Sequence, residues 1–135
     1  MSCRGPLGIL AAVAVLGACG TPSPDLFVVE RDGSVPGAKL NLLVADTTVR
    51  CNGRSPVPLT SRQTVEARDI TDDLRLVQSG AVRVPKAPPG QIFSFAIRTE
   101  DGTLRFADTA QRPRILPRTV RFIRRVAIDT CKLER

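Results

Sequence analysis

Gln91-Ile-Phe-Ser-Phe-Ala-Ile-Arg-Thr99 alternates apolar and polar side chains, and Thr103-Leu-Arg-Phe-Ala107 does so again. Phe93, Phe95 and Ile97 fall on one face of the first run, and Leu104 and Phe106 on one face of the second. Period-two alternation is the mark of a half-buried strand. Asp101-Gly102 lies between the two runs, and Asp-Gly flanked by alternating apolar residues signals a two-residue β-hairpin. A lone hairpin with one apolar face is unstable in water. It needs further strands beside it and a layer to cover that face.

The upstream sequence supplies the strands. Leu26-Phe-Val-Val-Glu30 is rich in β-formers, and Asp32-Gly33 and Pro36-Gly37 read as turns. Lys39 to Ala45 reads as a strand with Leu40, Leu42 and Val44 on one face. Asp46-Thr47 turns it into Thr48-Val-Arg-Cys51, its expected antiparallel partner, which Asn52-Gly53 ends. Ala81 to Val84 is expected as a short edge strand. Pro85-Lys-Ala-Pro-Pro-Gly90 carries too many prolines for regular structure and reads as a loop.

Two helices supply the cover. Thr60 is a good N-cap, and Gln63 three residues on completes a capping-box pattern. Leu59, Gln63, Ala67, Ile70, Leu74 and Val77 recur at helical spacing, Arg68 and Asp72 are spaced for an i,i+4 pair, and Gly80 ends the segment. Asp69, Asp72 and Asp73 read as the solvated face of this helix, since they lack the looped, alternating ligand pattern of a calcium site. Arg112-Pro-Arg-Ile-Leu-Pro117 reads as a loop whose last proline suits a first helical turn. From Arg118 onward, Val120, Phe122, Ile123, Val126, Ala127, Thr130, Cys131 and Leu133 fill one half of a helical wheel. Arg118, Arg121, Arg124, Arg125, Asp129 and Lys132 fill the other, and Ile128 alone is misplaced. The expected order is β-β-β-α-β-β-α. It describes an α+β domain: an antiparallel sheet of hairpins with two amphipathic helices packed on one face.

The N-terminal residues have a different character. Leu7 to Gly17 is an apolar run of 11 residues behind Arg4, well short of the ~20 that a spanning helix needs. It ends in Leu16-Gly17-Ala18-Cys19, a Leu-small-small-Cys order. Residues 1–20 resemble the type-II signal peptide of bacterial lipoproteins, with Leu16 to Cys19 as the lipobox. That resemblance implies cleavage before Cys19, a diacylglyceryl group on Cys19 and a location on the extracytoplasmic face of the cell membrane. Residues 1–18 are then the signal, 19–25 a lipidated N-terminus with a short tether, and 26–135 a single domain. Two acyl chains anchor stably where one holds only marginally.

Cysteine arithmetic agrees with this division. Cys3 leaves with the signal and Cys19 carries lipid. Cys51 and Cys131 remain, an even pair expected to form a disulfide in an oxidising compartment. An ordinary secretory signal would instead leave one mature cysteine over.

Thr48-Val-Arg-Cys-Asn52, the hairpin from Gln91 to Thr109, and Arg124-Arg-Val-Ala127 leading to Cys131 together look like a group of small lipoproteins of actinobacteria. The abundance of Arg over Lys, 17 to 3, suits a GC-rich genome of that kind. The resemblance implies anchor and fold, and no activity. A weaker likeness is to the subtilisin-inhibitor family, which also runs strand, strand ending in Cys, helix, long hairpin. The chain lacks that family's cysteines around a reactive loop, which would fall near Val84–Gly90. The likeness implies an alternative role as a tethered inhibitor, for which an exposed Pro85–Gly90 loop pinned at both ends would speak.

Chemistry is constrained by what is missing. The sequence contains no His, which removes Ser-His-Asp and Cys-His catalysis and every His-ligated metal site. Cys51 and Cys131 lack the close spacing of a redox pair, and no Gly-rich phosphate loop is present. Carboxylate pairs such as Glu30 with Asp108, or Glu100 with Asp101, are not distinguished from one another, and the latter two are expected to be solvated at a hairpin tip. No catalytic residue, metal ligand or cofactor is expected.

Charge is the remaining signal. Residues 19–104 hold equal numbers of acidic and basic side chains, so the positive excess lies in residues 105–135. Arg118, Arg121, Arg124 and Arg125 are therefore the candidate contact with anionic lipid headgroups or an acidic envelope partner. Nucleic acid is not expected outside the cytoplasm, and the aromatic within the basic stretch, Phe122, falls on the apolar half of the wheel, away from the arginines.

Overall fold

A computed structural model of the protein describes residues 25–133. The expected signal peptide, Cys19 and the tether up to residue 24 lie outside the described residues. Six strands form one antiparallel sheet: β1 (Asp25–Gly33), β2 (Leu40–Ala45), β3 (Thr48–Cys51), β4 (Val57–Pro58), β5 (Phe93–Thr99) and β6 (Gly102–Ala107), in the order β4-β3-β2-β1-β5-β6. Two helical segments cover one face: α1 (Ser61–Gln78) and α2 (Ile115–Arg125), the latter extended by a π-turn over Val126–Thr130. The expected α+β class and the one-sided helical layer both hold.

β1 is the middle of the sheet. It pairs with β2 through Val29 opposite Leu42, and with β5 through Val29 opposite Ile97. Successive strand residues face opposite sides, so one row runs Cys51, Leu42, Val29, Ile97, Leu104 across five strands. All but Leu104 are fully or nearly fully buried. The neighbouring rows add Phe27, Val44 and Val49 on one side and Leu40, Phe95 and Phe106 on the other. From the helices come Ala67, Ile70, Leu74 and Val77 of α1, and Leu116, Phe122, Ile123 and Val126 at the α2 end. Phe27 of β1 meets Phe122 of α2 edge to face, with ring centroids 6.2 Å apart, a favoured aromatic geometry.

Several details depart from the sequence reading. β1 runs on to Gly33 instead of turning at Asp32-Gly33, and Gly33 pairs with Phe93. A Cβ at Gly33 would lie 2.5 Å from the Ile92 carbonyl oxygen, so the strand continues only because no side chain is there. Ala81–Val84 is not a strand. The short edge strand is Val57–Pro58, beside β3, where proline's missing N–H is tolerated. The hairpin turns at Glu100 and Asp101, one residue earlier than expected, and Gly102 opens β6 with φ +139°. α2 begins at Ile115, not Arg118, so Ile115 and Leu116 leave the predicted loop and are buried. Pro117 permits this because first-turn N–H groups have no partner within the helix.

The end of α2 explains the misplaced Ile128. The Cys131 N–H donates to the Val126 carbonyl, and the Leu133 N–H to that of Ala127. This widened turn leaves Ile128 half-buried and places Cys131 in the core. There Cys131 forms a disulfide with Cys51, with Cα atoms 6.0 Å apart and a sequence separation of 80. The loop closed is long, so loop entropy ascribes it roughly 4–5 kcal/mol, a model-dependent value. Urea unfolding with and without reductant should show a loss of that order. Phe122→Ala, which empties a fully buried site, should cost about 3–5 kcal/mol in the same assay.

Candidate functional site

The sheet has one covered and one open face, and each presents candidate chemistry. α1 spans the end of the sheet at which β1 begins. Its N-cap, Thr60, follows Leu59, whose N–H donates to Thr47 in the β2–β3 turn. At its other end, the Gln78 side chain donates to the Gly102 carbonyl and accepts from the Thr99 hydroxyl at the β5–β6 hairpin. The capping box forms as expected. Gln63 does more than cap, because its amide nitrogen also donates to Thr130 at the end of α2.

Two arginines seven residues apart on α1 hold the two hairpin tips. Arg68 donates from Nε and Nη2 to the two carboxylate oxygens of Asp46, at 2.6 and 2.8 Å. Arg75 donates to Asp101 at 2.9 Å and Glu100 at 3.0 Å. The expected Arg68–Asp72 pair does not form. Asp46 offers Arg68 a two-pronged contact, and Asp72 turns to Arg75, 3.6 Å away. Glu100 and Asp101 are accordingly ion-paired, not the plain solvated pair expected. The Arg68 hydrogen bonds hold the Asp46 carboxyl below its ordinary value of 3.8, and Asp46 and Asp101 raise Arg68 and Arg75 respectively.

The acidic face of α1 meets the basic face of α2. Arg118 reaches Asp73 at 3.1 Å and Asp69 at 3.5 Å, and Arg125 reaches Glu66 at 2.6 Å. Contacts that rise along α2 and fall along α1 make the helices antiparallel. Asp69, Asp72 and Asp73 thus remain on the solvated face expected of them, and there each belongs to an ion pair. Among the described residues no group of three or more potential metal ligands comes together.

The four predicted basic residues divide into two pairs. Arg118 and Arg125 line the groove between the helices, with Val65, Glu66 and Asp69. Arg121 and Arg124 point away from it, exposed, and make no ion pair with any described residue. Sequence periodicity put all four on one polar half. Which of them α1 would neutralise depended on the helix pairing, which the wheel does not contain. Arg114, exposed at the start of α2, was missed because the helix was expected to begin later.

On the open face of the sheet, Asn41, Glu30, Ala96 and Arg105 form one cross-strand row. They border a shallow, open concavity of about 1030 Å³ that also takes in Asn52 and Ser94. Asn52, at φ +49°, accepts from the Asn41 N–H through its side chain. Glu30 is exposed there, while Asp108 is occupied elsewhere, accepting from the Ile92 N–H. The two do not form a carboxylate pair. The concavity can hold polar ligands, but its openness leaves both charged groups in water.

The Pro85–Gly90 loop is exposed apart from Ala87, which packs against the core. The Thr109 hydroxyl donates to the Pro88 carbonyl, so the loop is held at its middle. Among the described residues no helix is long and apolar enough to cross a membrane. Comparison with known protein families, with curated proteins and with solved structures finds no match in any of the three.

The Asp46–Arg68 contact has a pH signature. A carboxyl whose folded pKa is lowered adds stability above its unfolded value. That stability is lost as pH falls from about 3.8 through the lower folded value. Asp46→Asn should therefore flatten the acid limb of the curve of urea midpoint against pH, leaving its shape above pH ~5 unchanged.

Proposed function

We propose that the chain is a membrane-anchored extracytoplasmic lipoprotein whose domain is a non-catalytic binding or envelope-structural module. The observation that carries this is the lipobox Leu16-Gly17-Ala18-Cys19 behind an 11-residue apolar run. The structure is consistent with it in two respects. Cys51 and Cys131 are bonded to each other, which leaves Cys19 as the odd cysteine of the mature chain and suits an oxidising compartment. β1 begins at Asp25, so six extended peptide steps from Cys19, ~20 Å at most, hold the domain beside the bilayer.

The non-catalytic reading is supported by the distribution of ionisable groups. The acids of α1 and of the two hairpin tips are each engaged by an arginine, which stabilises their ionised form and disfavours their use as proton donors. The loop at Pro85–Gly90 is held at its middle, whereas an inhibitory loop would be extended and pinned at its flanks.

Cys19→Ala tests the anchor. Wild-type protein should partition into detergent and carry a diacylglyceryl mass on an N-terminal Cys19. The variant should accumulate as uncleaved precursor or appear in the soluble fraction. Protein with a mature N-terminus elsewhere and no lipid mass would refute the reading.

A further inference from the structure

The helical layer and the open sheet face lie on opposite sides of a two-layer domain, so only one of them can rest on a flat surface. Their charges differ in kind. On the helical layer, Glu66, Asp69, Asp72 and Asp73 are all bound to arginines, and Asp129 is the one described acid there without an ion-pair partner. Arg62, Arg114, Arg121 and Arg124 are exposed and make no ion pair with a described residue. On the open face, Lys39, Arg50, Arg98 and Arg105 share the surface with Glu30 and Asp32, both exposed and outside any ion pair. An anionic plane brought to the open face meets free carboxylates. Brought to the helical layer, it meets free guanidiniums and acids already paired with an arginine, Asp69 and Asp73 sharing Arg118 and Asp72 sharing Arg75 with the hairpin tip.

Apolar protrusion marks the same side. Val65 is 57 % exposed and Leu76 52 % exposed, the two most exposed large aliphatics among the described residues, and both are on α1. Exposed aliphatics set among unpaired cations suit the boundary between headgroups and acyl chains. Reach also permits the contact. The tether meets the sheet at the start of β1, and helices pack about 10 Å from the layer they cover. The ~20 Å available from Cys19 spans that thickness.

We propose that the outer face of the helical layer lies on an anionic lipid bilayer, with Arg114, Arg121 and Arg124 of the α2 segment, joined by Arg62 of α1, meeting the headgroups. Arg118 and Arg125 do not touch lipid; they pair with Glu66, Asp69 and Asp73 of α1 and weaken the repulsion those acids would exert on it. The open sheet face, with its concavity, then faces away from the membrane. This inference rests on the anchored reading above, which places the domain at a bilayer.

The test uses the mature lipidated protein in nanodiscs of phosphatidylcholine, with or without phosphatidylglycerol. Surface arginines are modified with a dicarbonyl reagent and read by peptide mass spectrometry. Arg121 and Arg124 should react several-fold more slowly on anionic than on neutral discs, and Arg98 and Arg105 at the same rate on both. Each headgroup-bound cation contributes about a five-fold factor to such a contact. Arg121→Gln with Arg124→Gln should therefore abolish the slowing at Arg62 and Arg114 while leaving the melting temperature unchanged. Slowing at Arg98 and Arg105 instead, or equal rates at all sites on both discs, would overturn the proposal. The mass of Cys19 in the same samples separates the two failures: protein that joins discs through its lipid without arginine protection refutes this contact alone, and protein without lipid that joins neither disc refutes the anchor and the contact resting on it.

Discussion

The contact between Phe27 and Phe122 ties the central strand to the second helix, and the rest of the fold is arranged around it. Phe27 sits on the strand that joins the β2 side of the sheet to β5 and β6, and Phe122 on α2. With few aromatics in the chain, the core has to be completed by aliphatic rows from five strands. One helix cannot cover a sheet of that width, because the apolar stripe of a helix is narrow compared with five strand spacings. Two antiparallel helices can. Their pairing then creates the polar groove in which Arg118 and Arg125 meet Asp73, Asp69 and Glu66.

Much of this was legible in the residues, and the failures have physical causes. The hairpin from Phe93 to Ala107, the capping box at Thr60 and Gln63, and the joining of Cys51 to Cys131 follow from local pattern and cysteine count. The sheet order does not, because nothing local says that β1 pairs with both β2 and β5. The extension of β1 to Gly33 depended on how closely Ile92 approaches. The early start of α2 depended on a proline being harmless in a first turn, and the burial of Cys131 on a π-turn that a wheel drawn at 100° per residue cannot represent. Ion pairs were the least legible. Arg68 was expected to choose a neighbour on its own helix and instead chose Asp46, distant in sequence and brought near by the sheet. Of the candidate site, the basic stretch was readable, while the division of that stretch into paired and free arginines required the helix pairing.

That division bears on how a strongly basic chain folds. α1 carries most of its acids on the side facing α2, so part of the C-terminal positive charge is used to dock one helix against the other. Surface ion pairs contribute little singly. Here they are several, shared between the same two helices, and accompanied by the Gln63–Thr130 hydrogen bond and the disulfide at the far end. The apolar stripes supply the driving force, and the polar contacts select the register in which the helices sit.

The position of β1 has a mechanical consequence. The preceding chain joins its first residue, and the strand is paired on both sides from Val28 to Arg31, with β2 alone before that and β5 alone after it. A pull on that preceding chain directed along the strand would load the ladders to β2 and β5 in shear, so that many hydrogen bonds must yield together. An edge strand pulled the same way would load one ladder instead of two. Tension arriving at the start of β1 is thus shared between the two halves of the sheet, and the Cys51–Cys131 bond keeps the end of α2 attached to β3 while it is borne.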